Sequence, residues 1–157
     1  AAGSLNLQSG GPGFRPFDII TFNSSIYVPV DRPGPEFERR AVYRINVNSG
    51  KDPLLDAFDC PDPSVKTPRR GMTTTPLQAL GLMNNPLVQR ACSQLARRSM
   101  TEAHDDLPRA VETAYRLTLG RPPTPAESER AIEAATARGL PSVCWALFNS
   151  TEFLYVR

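Results

Sequence analysis

The sequence predicts a mainly α fold, with about five helices in the C-terminal half and a loop-rich N-terminal half containing short strands or a hairpin. Three observations predict it. Pro and Gly punctuate residues 10–68 densely and thin out afterwards. Residues 18–30, DIITFNSSIYVPV, gather β-branched and aromatic side chains around an Asn-Ser-Ser break. From Thr75 onward, apolar residues recur at helical spacing between capping residues.

Residues 1–16 are Gly/Pro-rich and read as extended chain. DRPGPE, residues 31–36, reads as a turn. Residues 41–48 alternate, with Tyr43, Ile45 and Val47 on one face and Arg44, Asn46 and Asn48 on the other. That is strand periodicity, and a helix through Phe37, Ala41 and Ile45 is the competing reading. Thr75 caps a helix with Pro76 at its first position. Its run LQALGLM is apolar nearly all round, which predicts a buried helix. Asn84 and Asn85 end that helix and cap the next, whose stripe is Leu87, Val88, Ala91, Cys92, Leu95 and Ala96.

Asp105 and Asp106 open a helix carrying Ala110, Val111, Ala114, Tyr115 and Thr118, and Gly120 ends it. Thr124 and Glu127 have the capping-box spacing, with Pro125 at the first helical position. This helix runs to about Arg138 and stops at Gly139. A last helix starts near Pro141 or Ser142 and carries Val143, Trp145, Ala146 and Leu147, and the apolar tail EFLYVR packs back on the domain.

With 157 residues, 40% of them hydrophobic, the chain is long enough to bury a core. We read residues 1–157 as a single domain, with a loop and short-strand part at 1–74 and a helical part at 75–157. Its start, AAGSLNLQSGG, lacks an initiating Met and reads as the C-terminal piece of a larger protein.

A formal net charge of +2 gives no support for a nucleic-acid partner. The sequence has no apolar run of transmembrane length. Cys60, Cys92 and Cys144 are far apart, with no CxxC pair for zinc and no CxxCH for haem, so no metal site or cofactor is expected in this segment. Buried free thiols are expected, and a pairing of Cys60 stays open.

The candidate polar site is Asp59, Asp62, Arg69, Arg70, Thr74 and Thr75, in the run from residue 58 to residue 85, FDCPDPSVKTPRRGMTTTPLQALGLMNN. Main-chain N–H groups at a helix start favour an anion. Two guanidinium groups bind a carboxylate, sulfate or phosphate bidentately. The competing reading, which we favour, is that Asp59 and Asp62 pair with the arginines and pin a long loop. Glu38, Arg39, Arg40 and Arg44 form a second cluster, either complementing the acidic loop or lying on a solvated face. His104 sits in the polar linker TEAHDD and reads as exposed, because no nucleophile motif accompanies it. GGPG at residues 10–13 is a turn rather than a phosphate cradle.

FDCPD, the RR pair and TTTPLQALGLMNNP resemble the C-terminal domain of unknown function of large planctomycete surface or secreted proteins. GGP at residues 10–12, ERRAVYR at 38–44, LGRPPTPAE at 119–127 and ALFNSTEFLYV at 146–156 carry the same resemblance. It covers nearly the whole chain. It implies an extracytoplasmic setting (periplasmic, cell-surface or secreted), upstream domains as partners and, further upstream, a cytochrome-c-like domain whose haem c belongs to that part of the parent. Lys66 stands where the family pattern has a cysteine, so any role of that cysteine does not transfer.

Two classes of function follow. The first is a structural or docking domain, not catalytic on its own. The alternative is part of an enzyme, or a module binding an acidic glycan or other anion, in polysaccharide degradation or a cytochrome-c-linked redox system. Paired carboxylates such as Asp59 and Asp62 are what glycoside hydrolysis needs at the right separation.

Overall fold

A computed structural model of the protein describes residues 1–30, 32, 34–47, 52–61, 66, 68 and 75–155. The chain forms two compact units, Ser4–Leu82 and Ala1–Gly3 with Met83–Arg157. The first holds the hairpin and two helices, the second of which runs across the boundary.

In the first unit, β1 (Phe17–Thr21) and β2 (Ser25–Pro29) pair antiparallel, Phe17 opposite Pro29 and Thr21 opposite Ser25. The Asn-Ser-Ser break becomes their turn, closed by Phe22 N–H donating to Ser24 O at 3.1 Å. Phe17 is the buried end of the hairpin, edge-on to the Tyr27 ring with centroids 5.2 Å apart.

Over residues 41–47 neither the strand nor the helix reading holds, and Asn48 lies outside the described residues. Ala41–Tyr43 make a single 3-10 turn, and Arg44 then forms an isolated parallel bridge with Phe14. Strand alternation required Arg44 on the outer face. Instead its side chain is only 10% exposed, with Nε 3.6 Å from Asp52 Oδ2.

Asp52 also starts α1 (Pro53–Ala57), which the sequence reading missed: its Oδ1 accepts from Leu54 N–H at 2.9 Å and Leu55 N–H at 3.1 Å. The second helix, α2 (Pro76–Asn84), begins where predicted but is not buried. Leu77 is 70% and Leu80 54% exposed, and Gln78 is its buried side chain. A helix apolar on every side has no preferred inward face. Here the polar Gln78 turns in, because its amide caps the helix start.

The second unit is a bundle of α3 (Pro86–Glu102), α4 (Leu107–Leu119), α5 (Pro125–Arg138), α6 (Leu140–Phe148) and α7 (Thr151–Leu154). Asn85, Asp106 and Thr124 cap α3, α4 and α5, each with Pro at one of the first two helical positions. Thr124 and Glu127 complete the predicted capping box. Gly120 closes α4 in the left-handed conformation, at φ 71°.

Helix α6 packs on α3, α4 and α5, and α7 packs on α4 and α6. Leu95, Val111, Cys144 and Ser99 are the largest side chains that are fully enclosed. The inward stripe of α6 is Leu140, Val143, Cys144, Leu147 and Phe148, whereas Trp145 turns outward and donates through Nε1 to Met83 O at 3.0 Å. Leu87, expected in the α3 stripe, is exposed, and Ser99 and Ala103 extend that stripe instead.

Helix α3 ends in a Schellman turn. Asp105 N–H donates to Met100 O at 3.0 Å and His104 N–H to Thr101 O at 3.2 Å. His104 therefore occupies the left-handed position, at φ 53°, that glycine usually fills. An L side chain there costs about 1 kcal/mol or more. His104→Gly should raise the urea midpoint, by about 0.5–1 kcal/mol of stability, with an unchanged slope. A lower midpoint would mean that the His104 side chain contributes to the fold.

Candidate functional site

Four of the predicted polar-site residues, Asp62, Arg69, Arg70 and Thr74, lie outside the described residues. Asp59 and Thr75 do not. Asp59 follows α1 at φ 56°, donating its N–H to Asp56 O at 3.2 Å, while Cys60 N–H donates to Leu55 O at 3.0 Å. This is a second Schellman turn, so the Asp of FDCPD has a backbone role as a left-handed helix terminator. Asp tolerates that conformation better than most residues.

Thr75 and Gln78 form a reciprocal cap. Gln78 N–H donates to Thr75 Oγ1 at 3.3 Å, and Thr75 N–H donates to Gln78 Oε1 at 3.2 Å. The Thr75 amide, which an anion at this helix start would use, already has a partner inside the chain.

The arginine cluster is not a solvated face. Arg39 Nη1 donates to Pro12 O at 2.8 Å and Nη2 to Gly10 O at 2.6 Å. Its guanidinium lies 4.0 Å from the Tyr43 ring centroid. Tyr43 Oη in turn accepts from Gly10 N–H at 3.1 Å. That bond, with one from Ser9, holds the phenol below its usual pKa. GGP and ERRAVYR, two marks widely separated in sequence, thus meet in space: the arginine and tyrosine of one hold the turn of the other. Arg40 stays exposed.

Gly10 and Gly11 take positive φ in this turn, at 73° and 79°. Gly13 is constrained by space: a Cβ would meet Tyr43 O at 2.8 Å and Ile45 Cγ1 at 2.9 Å. Gly13→Ala should push the Phe14–Arg44 bridge apart and cost about 1–2 kcal/mol, as overpacking typically does. Chemical denaturation reads it, and an unchanged midpoint would show that this bridge yields freely.

Beside the turn an open groove of about 900 Å³ is lined by Gln8, Arg15, Phe17, Ile19, Glu36 and Arg39, among others. Asp18 at its margin pairs with Arg32 at 2.6 Å.

The helical unit carries its own polar node. Arg121 donates through Nε and Nη2 to Glu152 at 2.7 and 2.8 Å, and through Nη1 and Nη2 to Glu127 at 2.9 Å each. Nη1 also reaches Pro122 O at 3.1 Å. Glu127 accepts from Thr124 N–H at 2.7 Å as well. Arg121, and then Thr124, hold the Glu127 carboxyl at about 2, and Arg121 lowers that of Glu152 too. The node joins LGRPPTPAE to NSTEF, so a link between distant stretches accounts for both. Sequence reading recognised Glu127 as a cap but had no signal for Glu152, which lies 31 residues from its arginine.

Cys92 and Cys144 are buried free thiols and Cys60 is half-buried and free. Burial pushes the Cys92 thiol up to about 11 and Cys144 to about 12, the latter helped by Cys92. Neither supplies a thiolate near neutral pH. His104 is exposed, as expected. Among the described residues no group of three or more His, Cys, Asp or Glu is placed to hold a metal, and no helix is long and apolar enough to cross a membrane.

Comparison with curated proteins found no match, and no solved structure matches either. The pairing of the GGP turn with ERRAVYR and the Arg121 node each join stretches that are separated in the sequence. Residues 1–135 match the family model described as "PSD1: Protein of unknown function (DUF1553)", and the chain belongs to that family.

Proposed function

We propose that the chain is a docking domain, not catalytic on its own, which packs against upstream domains of a multidomain extracytoplasmic polypeptide. The observation that carries this reading is the hairpin. Ile20 and Ile26 face each other, and Val28 shares their side of the sheet. Ile20 is 44%, Ile26 50% and Val28 38% exposed, with Phe22 at the tip 77% exposed. A two-stranded hairpin is marginal in water unless its apolar face is covered, and clustered apolar exposure marks an interaction surface.

The resemblance to planctomycete surface and secreted proteins supports the extracytoplasmic setting and the identity of the partner. The resemblance places a cytochrome-c-like domain further upstream, and haem would belong to that domain.

The test is calorimetric titration of the 157-residue chain with the polypeptide that precedes it in the parent. Each buried isoleucine contributes about 1.5–3 kcal/mol. Ile20→Ser combined with Ile26→Ser should therefore weaken binding by on the order of 100-fold or more. A wild-type chain with no affinity for the preceding segment, or a double variant that binds as well as wild type, would sink the docking reading.

A further inference from the structure

The open edge of β1 is a second feature of the same hairpin, and it narrows what the partner must look like. Close and wide pairs alternate along an antiparallel ladder. Val30 N–H donates to Pro16 O at 3.0 Å and Phe22 N–H to Ser24 O at 3.1 Å, so Phe17–Pro29 and Thr21–Ser25 are wide pairs. Asp18–Val28 and Ile20–Ile26 are then the close pairs that carry the ladder bonds. The N–H and C=O groups of Phe17, Ile19 and Thr21 consequently point away from β2. Among the described residues the sheet has two strands, and these groups have no main-chain partner.

The groove of about 900 Å³ lies along this strand: Arg15, Phe17, Asp18 and Ile19 line it, and no residue of β2 does. Phe17, only 3% exposed, anchors the start of the strand, and the edge opens from Ile19, which is 45% exposed. The sequence of β1, FDIIT, contains neither the Lys nor the Pro that commonly blunts an exposed edge.

We infer that this groove takes an extended peptide segment, which adds to β1 as a third strand. Donor and acceptor pairs on alternate residues recur about every 7 Å along an extended chain. Another extended polypeptide matches that repeat, whereas sugar hydroxyls and small anions do not. Arg15 and Glu36 both line the groove and have no ion-pair partner among the described residues. The peptide therefore carries an acidic side chain for Arg15 beside an apolar one for Ile19. Main-chain pairing supplies affinity and these side-chain positions supply choice. The inference rests on the docking reading and specifies how the partner engages.

The experiment uses the 157-residue chain and a capped heptapeptide, Thr-Val-Asp-Val-Thr-Val-Thr, with amide exchange followed by NMR. At millimolar peptide, the Ile19 and Thr21 amides should gain at least tenfold protection. A peptide N-methylated at alternate residues should give none. Ile19→Pro should also abolish the effect, because the Ile19 N–H faces outward and its loss spares both close pairs. Unchanged amides of Asp18, Ile20, Ile26 and Val28 will show that the hairpin survives the substitution, and the N-methylated peptide decides the matter if it does not. No protection with the plain peptide, or equal protection with the N-methylated one, overturns strand addition. Loss of docking in the Ile20→Ser, Ile26→Ser variant alongside unprotected edge amides would leave the docking reading standing and remove this one. Edge protection with unimpaired docking in that variant would do the reverse.

Discussion

Gly139→Ala should destabilise the helical unit by about 2–3 kcal/mol, the upper part of the range for a strained backbone position. Gly139 is the whole connection between α5 and α6, at φ 84° and ψ 152°. Only glycine enters that region readily. Its N–H ends α5 by donating to Ala135 O at 2.8 Å, and its carbonyl accepts from Ser142 N–H at 3.1 Å and Ser142 Oγ at 2.7 Å. Crowding is not the cause of the cost: an added Cβ would lie 3.5 Å from Pro141 Cδ, an ordinary contact. The cost is conformational, and it falls on α6, the helix that α3, α4 and α5 all share. Thermal unfolding of a chain this size should shift down by about 5–10 °C. A D-alanine at the same position, introduced by semisynthesis, should be tolerated because its preferred φ is positive. Equal losses for both enantiomers would show that space, not φ, sets the cost.

Replacing Arg121 by Gln should release α7 and change how stability depends on acid. The guanidinium binds both Glu127 and Glu152, and Phe153 packs on Phe148 with ring centroids 5.0 Å apart. In the variant, amides at the start of α5 and through α7 should exchange faster than those of α3. Both carboxyls titrate lower in the folded protein than their ordinary value of 4.5, Glu127 at about 2. A depressed folded pKa stabilises the protein at pH above the unfolded value. That contribution fades as pH falls from 4.5 toward 2, where protons enter the unfolded chain first. Wild type should therefore lose melting temperature across this window, and Arg121→Gln should lose less. Parallel curves for the two proteins would show that the node contributes nothing to acid stability.

Where structure is set by neighbours within a turn or two, the sequence was readable. Asn85-Pro86, Thr124-Pro125 and Gly120 mark their helix ends through local bonds and fixed φ, and those ends fall where expected. Residues 41–47 were misread because Arg44 answers to Asp52, a partner that alternation does not encode. Helix α1 escaped because five residues are too few to show a period. Composition predicts a buried helix α2, yet its one buried residue is the polar Gln78. Asp59 also takes a left-handed φ after α1, which no side-chain pattern announces. The groove was not legible at all. It depends on an unpaired strand edge, and edges belong to sheets rather than to strands.

The Arg121 node also puts the last helix on a clock. A ribosome adds roughly 5–20 residues per second. Glu127 follows Arg121 by 6 residues and Glu152 by 31, so synthesis supplies the first carboxylate seconds before the second. Glu127 alone balances the single guanidinium charge, so what Glu152 brings is not neutralisation but an acceptor for Nε and a second one for Nη2. A chain cut before residue 152 would therefore keep the charge balance of this corner and lose the acceptor of its Nε donor.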